Sequence, residues 1–315
     1  MILHQLQGPP SPDLARALAE FESCFTYPLG PGRSFRICHG DDYPRFFRAI
    51  GEAACFVARR QERVVGTLGI AVRRLLLPEG SECLAAYVGD LKIVPEARGG
   101  MALLRLARAG EAWASPKVRA AYSVVMDGTP RTPTAYTGRA GIPAFQELGK
   151  VVVWRISTHP AVVDSDARFV TTSERGSACY RELSKGRYAC PAGTPTERSE
   201  SPPTWLVHPD GSACGLLEDT RRAKRLLADD GSEMRSAHLS CFAFRTPEAG
   251  AELFRVALRG AAALGFPALF VAVVPQDATS LAESLGESER VAAPATIYGA
   301  GLQAGPAWNI NSSEI

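Results

Sequence analysis

The residues best placed for chemistry lie in one segment, Tyr87-Val-Gly-Asp-Leu-Lys-Ile-Val-Pro-Glu-Ala-Arg-Gly-Gly-Met-Ala102. A β-rich run stops at Pro95, and the glycine pair Gly99-Gly100 follows. Behind it Leu103, Leu104, Leu106 and Ala107 recur at helical spacing, so a strand feeds a helix over Gly99–Ala114. A helix start presents unpaired N–H groups and roughly half a positive charge. Glycines let an anion come close to the backbone, and Arg98 adds a charged donor. Such a turn suits a phosphate or pyrophosphate, although an ordinary strand-to-helix turn has the same outline. The strand carries the carboxylate Asp90 and the phenol Tyr87. Neither a Gly-x-Ser-x-Gly elbow nor a Walker-type loop occurs in the chain.

Other elements must hold this segment. Ser34–Cys38 reads as a strand and Asp42–Ala54 as a helix capped by Asp41 or Asp42. Cys55–Arg59 and Val64–Leu77 read as strands joined by the polar turn Arg59–Arg63. Leu84–Val94 and Ala120–Met126 are further strands, then come a short helical stretch and a closing strand, Val151–Ile156. The second half repeats the order. Arg168–Thr172 is a strand and Glu174–Lys185 a helix. Two strands in Thr204–Leu227 flank the turn His208-Pro-Asp-Gly211. Strand Ala237–Arg245, helix Pro247–Leu264, strand Ala268–Val274, helix Ala278–Leu285 and strand Ala295–Leu302 complete it.

Part of the repetition is literal. Val94-Pro-Glu-Ala97 matches Thr246-Pro-Glu-Ala249, 152 positions on, and Tyr122-Ser-Val-Val125 matches Val271-Ala-Val-Val274, 149 positions on. Gly66 with Arg73-Arg74 parallels Gly215 with Arg221-Arg222. A period this long implies two domains, 1–157 and 166–315, rather than a solenoid. The linker falls near Ser157–Asp166, and Cys190–Pro203 reads as a mobile loop.

With 315 residues, 46% hydrophobic and 22% charged, the composition is that of a globular chain. The formal charge of +2 leaves no basic footprint for nucleic acid. Of 35 basic residues only five are lysines, so a single arginine is weak evidence for an anion site. No stretch suits a membrane span or a secretory signal. The eight cysteines form no C-x-x-C pair and read as reduced thiols, with no metal site and a cytoplasmic setting.

The central segment resembles the GNAT family, the Gcn5-related N-acyltransferases. Pro95, Glu96, Arg98 and Gly99 match its Val-x-Pro then Glu-x-Arg-Gly register, and its next Gly-x-Gly/Ala stands one residue early as Gly100-Met101-Ala102. The order of elements over 34–157 is also similar, and 166–315 echoes it. The resemblance implies an α/β fold of two tandem units, each a mixed, mostly antiparallel twisted sheet with flanking helices. It implies acyl-CoA, acetyl-CoA first, as co-substrate in a cleft between Leu84–Val94 and Ala120–Met126. Backbone groups of Leu91, Lys92 and Ile93 would pair with the pantetheine arm. Backbone N–H groups of Arg98, Gly99, Gly100, Met101 and Ala102 would take the pyrophosphate. The acyl group would pass directly to a primary amine of a small molecule or peptide, which calls for a base because a free amine is mostly protonated at neutral pH. Asp90 is the first candidate, ahead of Glu82 and Asp127. Tyr136 is the candidate acid for the departing thiolate, Tyr87 a wall of the acceptor pocket, and Arg131 and Arg139 weak phosphate candidates. The acceptor pocket is expected from loops 24–34, 78–84 and 127–143.

In the second half the Arg-Gly-Gly is gone. Glu252 is expected in the first helical turn, where it would repel phosphate, and Leu239 or Ser240 at the position of Asp90. This half reads as a copy that no longer binds acyl-CoA. Trp308–Ile315 would fold over a cleft or fray. Alternatives are transfer of a longer chain, with Leu75–Leu77, Gly89, Gly100 and Ala102 giving room, and a protein that binds acyl-CoA without catalysis.

Overall fold

Before Ser34 the sequence pattern singles out no element, yet the chain is ordered there into a strand, Ile2–Leu6 (β1), a helix, Pro12–Glu22 (α1), and a short strand, Tyr27–Pro28 (β2). Pro12 opens α1, and Leu14, Leu18 and Phe21 bury one face. The structure is a computed structural model that describes residues 1–28, 32, 34–139, 141–158, 167–286 and 289–315. Most of the expected linker, 159–166, and residues 29–31, 33 and 140 of the expected acceptor loops lie outside the described residues.

The strand expected at Ser34–Cys38 (β3) is present, followed by helix Arg45–Ile50 (α2) and strands Glu52–Arg60 (β4), Arg63–Leu76 (β5) and Glu82–Ile93 (β6). Helix α2 is shorter than the periodicity suggests, because Gly51 is extended and a Cβ there would lie 2.1 Å from the Val72 carbonyl oxygen. Asp42 caps nothing; its carboxylate binds Arg45 at 3.1 Å and Arg48 at 2.7 Å. Helix Ala102–Ala114 (α3) and strands Ala120–Met126 (β7) and Gln146–Ser157 (β8) follow. After a two-residue strand, Val170–Thr171 (β9), come helix Ser173–Leu183 (α4), strand Tyr188–Ala189 (β10) and one turn of helix, Pro195–Arg198 (α5). Strands Thr204–Val207 (β11), Ala213–Glu218 (β12), Arg225–Ala228 (β13) and Ala237–Phe244 (β14) lead to helix Pro247–Ala263 (α6). Strand Ala268–Val273 (β15), helix Pro275–Leu285 (α7), and strands Arg290–Ala300 (β16) and Trp308–Asn309 (β17) complete the fold. Among the described residues no helix is long and apolar enough to cross a membrane.

One mixed, mostly antiparallel sheet runs β1-β4-β5-β6-β7-β16-β8-β15-β14-β12-β11-β9. Its parallel neighbours along this path are β6 with β7 and β14 with β15. The closing strands do not stay with their own halves. Strand β16 pairs with β7, and β8 pairs with β15, while β8 and β16 pair with each other. The two halves therefore share one sheet and exchange its central strands. A small second sheet, β13-β3-β2, also joins residues of both halves.

The segment Cys190–Pro203 is an anchor rather than a mobile loop. Arg198 on α5 is fully buried and grips Glu218 through two bonds of 2.8 Å. It also reaches Glu314 at 3.1 Å, and Glu314 pairs in turn with Arg73 on β5. The C-terminal segment is buried as well, with Trp308 stacked 4.4 Å from Tyr188 and tilted against Tyr122 at 5.3 Å. Removing one partner of a buried ionic network leaves uncompensated charge, which costs about 3–5 kcal/mol. Arg198→Ala is accordingly expected to lose stability of that order in denaturant unfolding. A loss no larger than the ~0.5 kcal/mol of an ordinary surface change would mean that the network does not hold the halves together.

Candidate active site

Strands β6 and β7 are bonded only where Ala85–Tyr87 meet Ala120–Tyr122. Just beyond, Thr67 stands opposite Lys92 and Gly69 opposite Gly89, so Leu68 alone faces both Asp90 and Leu91. This is a β-bulge, with Asp90 in the left-handed region at φ 51°. Aspartate tolerates that conformation better than most residues. A bulge bends its strand, and β6 leaves β7, which opens the cleft expected between them. The Val94 N–H donates to Val65 at 3.1 Å. Alternation then turns the Lys92 backbone toward β5 as well, and leaves the Leu91 and Ile93 backbones on the open side. The Lys92 backbone thus faces β5, not the open edge where the sequence placed it as a pantetheine partner.

At the mouth of the cleft Pro95–Ala97 form a 3-10 turn. The N–H groups of Arg98 and Gly100 close it on Pro95 and Ala97 at 3.2 and 3.4 Å, so these two do not point at a ligand. Gly99 has φ 76° with open space where a Cβ would stand. Helix α3 starts at Ala102 instead of Gly99, with no side-chain cap and no acid in its first turn. Gly99, Gly100 and Met101 are exposed, and the first N–H groups of α3 have no partner within the helix.

Behind the bulge lies a buried ion cluster. Asp90 accepts from the Tyr43 hydroxyl at 3.0 Å, and its carboxylate lies 3.2 Å from Lys92 Nζ and 3.3 Å from His39 Nε2. Glu22, the last residue of α1, pairs with His39 Nδ1 and lies 3.9 Å from Lys92. Burial alone would raise the proton affinity of Asp90, but Lys92, His39 and Tyr43 outweigh it and bring its pKa down to about 2. A carboxylate so held is a weak base, which argues against Asp90 as the group that strips a proton from an ammonium. Burial pushes the Tyr27 phenol up to about 12, and Lys92 lies 5.5 Å from its ring centre. The ligand atoms of Glu22, His39 and Asp90 lie within 4.8 Å of one another. The Lys92 ammonium already supplies a cation there.

Glu22 and His39 escape a reading by motif, though the pattern contains them. Leu14, Leu18 and Glu22 recur every fourth residue, and Phe35, Ile37 and His39 every second, so each polar group ends a buried face. Lys224 is another group that no motif marks. Its ammonium stands 4.5 Å from the Phe46 ring centre and donates to the Ile315 carbonyl oxygen, and burial lowers its pKa to about 7.

The remaining candidates are scattered. Tyr136 follows a 3-10 turn, Pro133–Ala135, where a helix was expected, and burial raises its phenol to about 12. No hydrogen bond among the described residues links it to Asp90. Glu82 is taken by Arg181 and Arg74, and Asp127 accepts from Thr296 at 2.8 Å. The Arg139 guanidinium turns back to the Ala135 carbonyl at 3.1 Å, and Arg131 is exposed. Tyr87 is buried and donates to the Glu314 carbonyl at 2.6 Å, so it holds the C-terminal segment.

The second half repeats the device and closes it. Strands β14 and β15 pair over Ala237–Leu239 only. Gly215 faces both Cys241 and Phe242, with Cys241 at φ 48°. Cys241, not Leu239 or Ser240, is therefore the counterpart of Asp90. The chain's own end lies against this splay. Asn311 accepts from the Cys241 N–H at 2.8 Å, Ser313 meets Ser240 at 2.8 Å, and Ser312 meets His238 at 3.1 Å. Glu252 sits in the second turn of α6 and binds His208 at 3.1 Å; the first-turn acid is Glu248, and Thr246 caps the helix. Arg221 and Arg222 lie in a turn, unlike Arg73 and Arg74 on β5, so that part of the sequence match is not structural.

The Asp90 pairing has a consequence for acid stability. Its folded carboxylate binds a proton less readily than the unfolded one, whose pKa is about 3.9. The stabilisation is present above that value and is lost as pH falls toward 2. Asp90→Asn should flatten this part of a stability-against-pH curve, and a variant curve parallel to the wild type would count against the pairing.

No model of a known protein family matches the sequence, and no curated protein matches it. Solved structures do. A GCN5-related N-acetyltransferase from Anabaena variabilis ATCC 29413 is 15% identical with a TM-score of 0.50, covering 95% of this chain and 72% of its own. Saccharomyces cerevisiae N-myristoyltransferase with bound myristoyl-CoA is 11% identical with a TM-score of 0.58, covering 99% of this chain and 82% of its own. A further structure of that yeast enzyme with bound myristoyl-CoA has a TM-score of 0.56 and 9% identity. Over nearly its whole length, then, the chain has the fold of the GNAT N-acyltransferases.

Proposed function

We propose that the protein is an acyl-CoA-dependent N-acyltransferase whose donor site is the cleft between β6 and β7. The observation that carries this reading is the bulge at Asp90 opening two parallel strands beside a helix start free of cap and acid. The pyrophosphate fits the first N–H groups of α3 with those of Gly99 and Met101. The pantetheine arm fits the open edge of Leu91 and Ile93, as an added strand would. The thioester then lies toward the bulge, and the anionic Asp90 attracts the acceptor's ammonium. Tyr136 keeps its proton at neutral pH and serves as donor to the departing thiolate. Fold likeness to enzymes that acylate amines supports the same reading.

Acetyl is the donor group this reading takes first. A Cβ on Gly69 would lie 2.0 Å from the Phe47 ring, and one on Gly89 3.3 Å from it. Leu75 and Leu76 are buried in core clusters. Of the residues that offered room for a longer chain, Leu75, Leu76 and Gly89 are thus packed against the core, while Gly100 is exposed. The acceptor is a primary amine on a small molecule or peptide.

The second cleft is lined by the chain's own end, so calorimetry with CoA should give one site. Gly100→Asp adds a negative charge beside the helix start and should abolish that binding. Two equivalent sites, or binding that survives the substitution, would sink the assignment. Tyr136→Phe should keep CoA affinity but slow turnover by about 10²–10⁴-fold, the usual cost of losing a general acid. Equal turnover would reduce Tyr136 to a wall of the cleft.

A further inference from the structure

We infer that the protein has a second ligand site, at the edge of β5, which takes a small N-acyl amino acid. The site does not depend on the acyltransfer reading. It starts from a gap in the sheet. The Leu77 N–H donates to Ser81 at 2.9 Å, and from there the register with β6 runs unbroken to Arg73 opposite Ala85. Hydrogen-bonded pairs alternate along an antiparallel ladder. Leu75 and Arg73 therefore turn their backbones to β6, while Val72, Arg74 and Leu76 turn theirs outward. On that side Val72 meets Glu52 of β4, and Leu76 meets Ala189 of β10. Arg74, between them, pairs with neither strand. Two more residues of the β10 register would bring Pro191 opposite Arg74, and proline has no N–H to give. The Pro191 carbonyl accepts instead from the Arg73 guanidinium. The N–H and C=O of Arg74 are left without a partner among the described residues.

At this gap lies a cavity of about 400 Å³, within the range of small-ligand pockets. Both halves build it. Ile50, Val72 and Leu84 come from the first, Tyr180 and Trp205 from the second. Leu84 is half exposed, and Ser177 and Gly193 in the lining are exposed, so the cavity opens to solvent. Three arginines line it and no acid does. Arg73 is neutralised by Glu314, and its buried Nε has no partner among the described residues. Arg181 pairs with Glu82 on β6, and Arg74 stands 3.9 Å from the same carboxylate with its side chain 70% exposed. One carboxylate serves two guanidinium groups, and Arg74 keeps a positive charge to offer.

These features specify a ligand. In an antiparallel pair one residue donates with its own N–H and accepts with its own C=O. An N-acyl amino acid carries that N–H beside a carboxylate. Its N–H donates to the Arg74 carbonyl, and one carboxylate oxygen accepts from the Arg74 N–H, as an added strand would. The remaining charge meets the flexible Arg74 guanidinium, a charge-assisted contact. The acyl group lies on the apolar wall. Leu84 precedes Asp90 by six residues, about 20 Å along β6, so the site stands apart from the donor cleft.

The test is calorimetry of the full chain with N-benzoylglycine, whose phenyl group suits that wall. It should bind, and CoA should not compete with it. 3-Benzoylpropionate, in which CH2 replaces the N–H, should bind at least about threefold more weakly, and N-benzoylglycinamide, which lacks the charge, at least about tenfold. Arg74→Gln changes an exposed side chain and leaves the core alone. It should weaken N-benzoylglycine at least about tenfold and the glycinamide hardly at all. Absence of binding, competition by CoA, equal affinity for the three compounds, or affinity unchanged by the substitution each overturns the inference. Hydrogen exchange on unaltered protein reads the backbone directly. The Arg74 amide should exchange faster than those of Arg73 and Leu75 in the free chain, and should slow at least about tenfold with N-benzoylglycine bound. An Arg74 amide already as protected as its neighbours, or one that the compound leaves unchanged, also overturns it.

Discussion

One extra residue in β6 governs the rest of the site. Because Leu68 faces two residues rather than one, β6 bends away from β7, and three consequences follow together. The parallel strands part, the Leu91 and Ile93 backbones lose a neighbour, and the Asp90 side chain swings toward α1 and β3. A carboxylate placed there by the backbone cannot stand alone in a buried setting. Lys92, Tyr43, His39 and Glu22 are the answer to that demand. The cleft and the ion cluster are therefore two faces of a single backbone irregularity.

The second half shows what becomes of the same irregularity under other side chains. Cys241 takes the left-handed position and brings no charge of its own, although the buried Arg198, Glu218, Glu314 and Arg73 stand close enough to act on its thiol. Its N–H meets Asn311 from the chain's own end, and the opening of β14 from β15 is lined from within. The segment that does this also carries Glu314 to Arg73 and Arg198. The splay in one half thus anchors the peptide that ties it to the other.

What could be read from the sequence was local. Pro95-Glu-Ala-Arg-Gly announces a strand ending in a turn before a helix, and His208-Pro-Asp-Gly211 announces a hairpin, because each needs only neighbouring residues. The repeated Pro-Glu-Ala marks a strand-to-helix junction in both halves for the same reason. Glu22 and His39 were different: 17 residues separate them, and Asp90 lies a further 51 along. Their meaning arises from pairing across elements, which single-element periodicity does not register. The exchange of β8 and β16 was invisible on the same ground. Both strands have the expected composition, and only the shape of the assembled sheet decides which neighbour each one meets. Asp90 itself was legible as important, but its low proton affinity comes from Lys92 two residues on and from His39 and Tyr43 in the turn between β3 and α2, which no local pattern brings to it.

Strand exchange also sets an order of events in time. During synthesis β7 emerges long before β16, the strand that must lie beside it, and β8 leaves without β15. Neither half can finish its sheet from its own residues, and a chain made only as far as β8 lacks the strands that flank β7 and β8 at the centre of the final sheet. Pairings of this range are slow to form and invite misassembly. The topology makes the completion of one half's sheet conditional on the other.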